Sequence, residues 1–381
     1  VLHRFPFLLR SEKVIVADIY DPFHLEQMEV SRDETPFRRR ELVQASTAVL
    51  NEQLLRADFM LCASPKQRDF WLGHLAALGR VNPAVYDEDE TLYKLIDIAP
   101  FGLPEHAPQR TRSAIKGVIP GIAATDKVVL WGGGIYNWFD PLTLIRAVHE
   151  LEATIPDLRL LFLGTKHPNP EVPAMRMTGD ARQLAADLGV AGRTVFFNDD
   201  WVEYDDRHNF LLDADVGVST HFDHAETAYS FRTRILDYLW AGLPTVTTGG
   251  DALGDLIDAE DLGRTVPPTD VGALRDALAA LLTDPTANAA CRERIAAVAP
   301  RFRWSAALAP LLEFCRRPRR APDLLDPDIT AAFLRSAGVV HAEHRGLLAD
   351  ARVAAAALRD GGPRLLASKV RNRLAQRHAH R

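Results

Sequence analysis

Hydrophobic positions along this chain follow two rhythms that alternate. Short apolar runs at Lys13 to Ile19 (KVIVADI), Phe59 to Ala63, Leu95 to Ile98, Lys127 to Trp131, Leu158 to Leu163, Thr194 to Phe197, Val216 to Ser219 and Thr245 to Thr248 predict buried strands. Between them lie stretches with helical spacing. Glu41 to Ala57, with Leu42, Ala45, Val49 and Leu54 on one face, is the first; Pro65 to Leu78, Asp140 to Thr154, Gly179 to Leu188 and Asp205 to Leu212 come after it. Strands alternating with helices predict an α/β chain of doubly wound parallel sheets. Beyond Asp270 the pattern is helical throughout: Val271 to Leu282, Thr286 to Val298, Ser305 to Cys315 and, after a break, Asp328 to Arg359. Ser31 to Arg40 (SRDETPFRRR) has no period and predicts a loop or flap.

Gly102 to Ala124 carries prolines, glycines and charges without a clear element, which predicts an interdomain connection. The expected organisation is therefore a Rossmann-like unit at 1–104, a connection at 105–125, a second Rossmann-like unit at 126–300 and a helical extension with a basic tail at 301–381. Few strands are visible in the first unit. The expectation is that it is the second half of a Rossmann-like domain, truncated, with its first strands preceding Val1.

Candidate chemistry gathers at the ends of these elements. In Ser230 to Pro244 (SFRTRILDYLWAGLP), Ile235, Leu236, Leu239 and Trp240 form an apolar stripe, Ser230 suits an N-cap, and Gly242 with Pro244 closes the helix. Core packing does not account for the polar side. Arg232 and Arg234 stand at a helix start, where backbone N–H groups favour an anion and two planar guanidinium forks suit a diphosphate. Asp237, a turn further in, is placed to accept the hydroxyls of a ribose or, alternatively, to pair with Arg234 or a neighbouring helix. Gly132-Gly-Gly134, after the Lys127 strand, permits positive φ and close approach of a ligand, but the next residues do not complete G-x-G-x-x-G, which disfavours a nicotinamide enzyme. The loop itself brings no cation, so Arg232 and Arg234, with Lys166 as a further donor, are the candidates. Asp18, Tyr20, Asp21 and His24 leave the C-terminal end of the first strand, either lining a cleft or forming a turn.

Asp237-Tyr-Leu-Trp-Ala-Gly-Leu-Pro-Thr-Val246 resembles the second half of the signature of retaining, family-4-like and family-1-like glycosyltransferases of the GT-B fold, with Asp where that group usually has Glu. The first acid of the signature would fall at Tyr229; the nearest carboxylate upstream is Glu226. The resemblance implies two Rossmann-like domains facing a cleft. It further implies a metal-independent hexosyltransferase-like enzyme that moves a sugar from a nucleotide diphosphate donor to a sugar, lipid or small-molecule acceptor on the N-terminal domain. Retention of configuration and a role in glycan or glycoconjugate biosynthesis go with it. The candidate catalytic set is Glu226, Arg232 and Asp21. Gly133, Gly134, Lys166, Arg232, Arg234 and Asp237 form the donor-binding set. No metal ligand and no cofactor besides the donor is assigned. The alternative is a GT-B-shaped sugar-nucleotide epimerase or a non-catalytic nucleotide-sugar-binding protein.

Composition narrows the partners. A net charge of −6 over 381 residues argues against a general nucleic-acid binder. Cys62, Cys291 and Cys315 are too few and too scattered for a disulfide framework, which points to a reducing, cytoplasmic setting. Basic residues are mostly arginine, a composition of high-GC bacterial proteins. After Gly361-Gly-Pro363 the tail holds Arg364, Lys369, Arg371, Arg373, Arg377 and Arg381, with Leu366, Val370 and Leu374 on one helical face. It reads as a peripheral contact with anionic lipid or as a solvated terminus. Oligomeric state has no signature in the sequence.

Overall fold

The computed structural model describes residues 2–326 except 167–168 and 170–174. Two parallel sheets form. The first is β1 (Val16–Asp18), β2 (Phe59–Cys62) and β3 (Ile96–Ile98), in that order. The second holds β4 (Lys127–Gly132), β5 (Leu158–Leu163), β6 (Val195–Phe197), β7 (Val216–Ser219), β8 (Thr245–Thr248) and β9 (Gly263–Val266), in the order β6-β5-β4-β7-β8-β9.

Strand periodicity builds the second core. Val129, Trp131, Leu160 and Phe162 bury on one face of the sheet, while Val128, Leu130, Leu161 and Leu163 bury on the other. Helices on both faces explain why β7 and β8 are buried at every residue. From β4 the chain winds outward through β5 and β6, then returns to β7 on the other side. The order thus reverses between β4 and β7, and the crevice beyond the C-terminal strand ends at such a point is where open α/β sheets bind ligands.

Several expectations need correction. Of Ser31 to Arg40 only the first half is loop: the helix Pro36–Arg56 takes the rest, because Thr35 caps Arg38 N–H and Pro36 suits a first turn. Helices also form at Phe23–Val30, Pro83–Glu88 and Ala252–Ala259, and β9 has no counterpart in the expected pattern, since its Gly-Arg-Thr-Val carries little hydrophobic signal. The predicted Ser305 to Cys315 helix is two, Trp304–Ala307 and Ala309–Arg316, separated at Leu308 and restarted with Pro310 in its first turn. That segment returns to the first sheet. Phe314 stacks on Phe59 at 4.5 Å, and Asp323 meets the buried Arg80 Nε at 2.6 Å. The predicted helix Asp328 to Arg359 and the basic tail lie outside the described residues. Among the described residues no helix is long and apolar enough to cross a membrane.

Candidate active site

The C-terminal strand ends of both sheets meet. From the first sheet, Gln67 donates through Nε2 to the carbonyls of Tyr20 (2.5 Å) and, across the junction, Tyr229 (2.8 Å). Phe70 packs on Tyr229 with ring centroids 4.6 Å apart, and Lys66 reaches the Gly250 carbonyl at 3.1 Å and Asp255 at 2.6 Å. Gln67 and Lys66 open the helix Pro65–Ala77, whose N-cap Ser64 fixes where that helix leaves β2.

The central segment differs from its expected form. The helix expected from Ser230 starts later, as Thr233–Trp240, and Ser230 is instead the C-cap of a separate short helix, Ala225–Tyr229. Ser230 Oγ donates to the Thr227 carbonyl instead of capping the second helix. Gly242 closes that second helix at φ +65°, with Leu243 N–H on the Tyr238 carbonyl. The break holds Arg232, whose two Nη atoms donate to both oxygens of Glu226 at 3.1 and 2.8 Å. Both side chains are almost fully buried, at 4% and 1% exposure. Neither belongs to a solvated helix face.

Arg234 is buried too. Its Nη2 donates to the Gly134 carbonyl at 2.8 Å, and its guanidinium lies over the rings of Trp131 (4.5 Å) and Phe139 (4.2 Å). Burial pushes its pKa down to about 10, so it remains charged at neutral pH. Arg234 therefore props the glycine loop from beneath and leaves Nη1 without a partner among the described residues. Above it Gly133 sits at φ +113°, which only glycine adopts without strain, and a Cβ there would meet nothing within 4 Å. Tyr238 accepts Gly132 N–H at 2.7 Å and fills the space left by Gly217, where a Cβ would lie 2.6 Å from its ring. Trp138 stays within the second core, stacked on Tyr136.

Asp237 lies further along, paired not with Arg234 but with Arg207 Nε at 3.1 Å. Arg207 is itself sandwiched against Tyr204 (3.6 Å) and Trp240 (4.6 Å). Although 36% of the Asp237 side chain is exposed, desolvation still raises its pKa against the pull of Arg207. Lys166 stands exposed beyond β5, with no hydrogen bond or ion pair among the described residues, and is not drawn into this cluster. Asp199 and Asp206, acidic side chains of a kind that can hold a metal, pair instead with Arg182 and Arg112.

From the first domain, Asp21 faces the Glu226–Arg232 pair. Desolvation and the Glu226 charge push its carboxyl up to about 6, with Arg232 pulling the other way. Glu26, which no sequence motif marks, joins them from the helix Phe23–Val30: burial, then Asp21 and Glu226, push it up to about 8. Asp21, Glu26 and Glu226 thus gather around the Arg232 guanidinium. His24 turns away, stacking on Phe70 and lying near Trp71 and His74, and burial lowers its pKa to about 4. Sequence reasoning also missed His221 and Asp251, buried beyond β7 and β8. The available signal for Asp251 was its place after a strand and two glycines.

A pH dependence arises from Glu26. Its folded pKa exceeds the ordinary value, so the folded protein keeps a proton that the unfolded chain releases, and stability falls as pH rises from about 4.5 to about 8. Glu26→Gln, always neutral, is expected to match the wild type at pH 4.5 and to melt about 2 °C or more above it at pH 8. Parallel melting curves across that range refute the assignment.

The family model described as Glycosyl transferases group 1 matches residues 126–284. No curated protein sequence matches the chain. Among solved structures, the chain is similar to the sucrose-phosphate synthase of Thermosynechococcus elongatus, with 18% identity and a TM-score of 0.55 over 82% of this chain and 70% of that one. It is also similar to an α,α-trehalose-phosphate synthase (UDP-forming) from Burkholderia vietnamiensis, with 14% identity and a TM-score of 0.56 over 82% and 70%. A third is Anabaena HepE in complex with UDP and glucose, with 14% identity and a TM-score of 0.56 over 80% and 72%. At such identities the likeness establishes the fold, which is of the GT-B type.

Proposed function

We propose, from the match of residues 126–284 to the group 1 glycosyl transferase model, that this protein transfers a sugar from a nucleotide diphosphate donor to an acceptor held by the first domain. The observation that carries the reading is the buried Glu226–Arg232 pair, beside the glycine loop and opposite Asp21, at the reversal point of the second sheet.

In the proposed reaction the bond between the sugar's anomeric carbon and the diphosphate oxygen breaks, and a bond from that carbon to an acceptor hydroxyl forms on the same face. The acceptor's proton leaves with the diphosphate, so configuration is retained without a protein nucleophile. The protein must supply stabilisation of the charge growing on the diphosphate, and preorganised cations do this in a site from which water is excluded. Arg232 fills that role, and Arg234 holds the glycine loop against the phosphates and offers Nη1. Glu226 contacts the donor sugar, and Asp237 the ribose. The reading is of a metal-independent, cytoplasmic enzyme of glycan assembly, with a sugar, lipid or small molecule as acceptor and the basic tail as its contact with anionic membrane. HepE, bound to UDP and glucose in one structure, supports the choice of donor class.

Incubation with UDP-, GDP-, ADP- and dTDP-sugars, with nucleoside diphosphate release measured and the product anomer read by NMR, tests the proposal. Both key carboxylates are already ion-paired, Glu226 to Arg232 and Asp237 to Arg207, which favours a non-catalytic nucleotide-sugar binder as second reading. Binding without release in every case would select it.

For Asp237, hydrogen bonds to a charged group contribute about 1.5–3 kcal/mol. Asp237→Asn is expected to raise the donor dissociation constant about tenfold or more, and Asp237→Glu to retain more binding than Asn. Calorimetric titration decides: unchanged affinity with a lower melting temperature assigns Asp237 to its ion pair with Arg207 alone.

A further inference from the structure

Behind Arg232, on the side away from Glu226, three buried polar atoms lack a hydrogen-bond partner among the described residues: Arg232 Nε, Asp251 Oδ2 and His221 Nε2. They converge. Asp251 Oδ2 lies 3.8 Å from Arg232 Nε and 3.6 Å from His221 Nε2, each just beyond hydrogen-bond range. Asp251 and His221 have no exposed surface.

We infer that Asp251 is a positioning residue for Arg232, the second carboxylate that retains the guanidinium when Glu226 turns to the donor sugar; the inference rests on the reading of Arg232 as a ligand of the donor diphosphate. A guanidinium has two edges, and Glu226 occupies only the Nη1/Nη2 edge. Its Nε–H is left facing Asp251. The same carboxylate is fixed from the other side, because Oδ1 accepts Gly254 N–H at 2.6 Å as the cap of the helix Ala252–Ala259. Oδ2 is consequently an anchor without rotamer freedom, and a shift of about 1 Å brings Arg232 into contact with it. Each Glu226 oxygen keeps acceptor capacity beyond its bond to Arg232, so sugar hydroxyls and the guanidinium draw on the same carboxylate and loosen each other's hold. As Glu226 turns to the sugar and the Nη edge of Arg232 to the diphosphate, Asp251 is the carboxylate placed to hold the Nε edge from behind. His221 borders the same oxygen, with its own backbone N–H held by Thr248 Oγ1 at 3.2 Å.

The test separates this role from capping. Asparagine and serine cap helices nearly as well as aspartate, so Asp251→Asn keeps the cap and removes the charge. Binding of UDP, ADP, GDP and dTDP is measured by calorimetry for the wild type, Asp251→Asn, Arg232→Lys and the double variant. Asp251→Asn is expected to weaken the preferred nucleotide about tenfold in the wild-type background and less than threefold beside Arg232→Lys, since coupled residues are non-additive. Equal affinity of Asp251→Asn and wild type, or an equal loss in both backgrounds, overturns the inference. Asp251→Ser repeats the measurement should the Asn protein fold poorly. A wild type that binds none of the four nucleotides strikes the glycosyltransferase reading instead. The link is then judged by the denaturant midpoints of the same four proteins, where additive shifts overturn it and non-additive shifts support it.

Discussion

Replacing Asp323 by alanine is expected to destabilise the protein by about 3–5 kcal/mol, the usual cost of stranding one member of a buried ion pair. Arg80 has no exposed surface, and its Nε and Nη2 donate to Asp323 at 2.6 and 3.4 Å. Its Nη1 bonds the Leu54 carbonyl, and Asn82 adds a contact to the same carboxylate at 3.4 Å. Without Asp323 the guanidinium keeps, among the described residues, only the Leu54 carbonyl. The C-terminal segment should then detach from the first sheet, where Phe314 stacks on Phe59 and Arg320 pairs with Asp58 at 2.7 Å. Denaturant unfolding and limited proteolysis check this. The double variant Arg80→Met, Asp323→Leu should recover most of the loss, because apolar replacements of a buried pair are often neutral. A single variant with wild-type stability would show that the pair contributes nothing.

A second large effect is expected at Arg232. Arg232→Met leaves Glu226 charged and buried, so the variant should melt about 10 °C below the wild type, from a loss of about 3–5 kcal/mol. Adding Glu226→Gln should restore most of that. Activity behaves differently: loss of one preorganised charge at the reacting group costs about 100-fold or more in turnover, and the double variant should not regain it. Stability recovered together with activity would place Arg232 in the scaffold only.

Strands were the most legible part of the fold. Leu158–Leu163, Val216–Ser219 and Thr245–Thr248 have the limits read from the sequence, because a parallel strand buried on both faces leaves an unbroken apolar run. Helix starts were less legible. Ser230 is a good cap by type, yet the backbone breaks at Arg232, where a buried ion pair with Glu226 outweighs local propensity. The helix Phe23–Val30 has almost no amphipathic pattern, so nothing in its spacing announced it, and Glu26 was missed with it.

By itself the sequence determined the α/β alternation, the glycine loop after β4 and the short list of polar residues at strand ends. These depend on side-chain period and on backbone freedom, both local properties. Only the tertiary structure decided how those residues are used. Arg234 supports Gly134 from within an aromatic box, Asp237 belongs to Arg207, and Arg232 stands between Glu226 and Asp251. The reason is physical: which charges meet depends on the ends of strands far apart in sequence, and burial makes each such meeting obligatory, since a charge removed from water needs a partner.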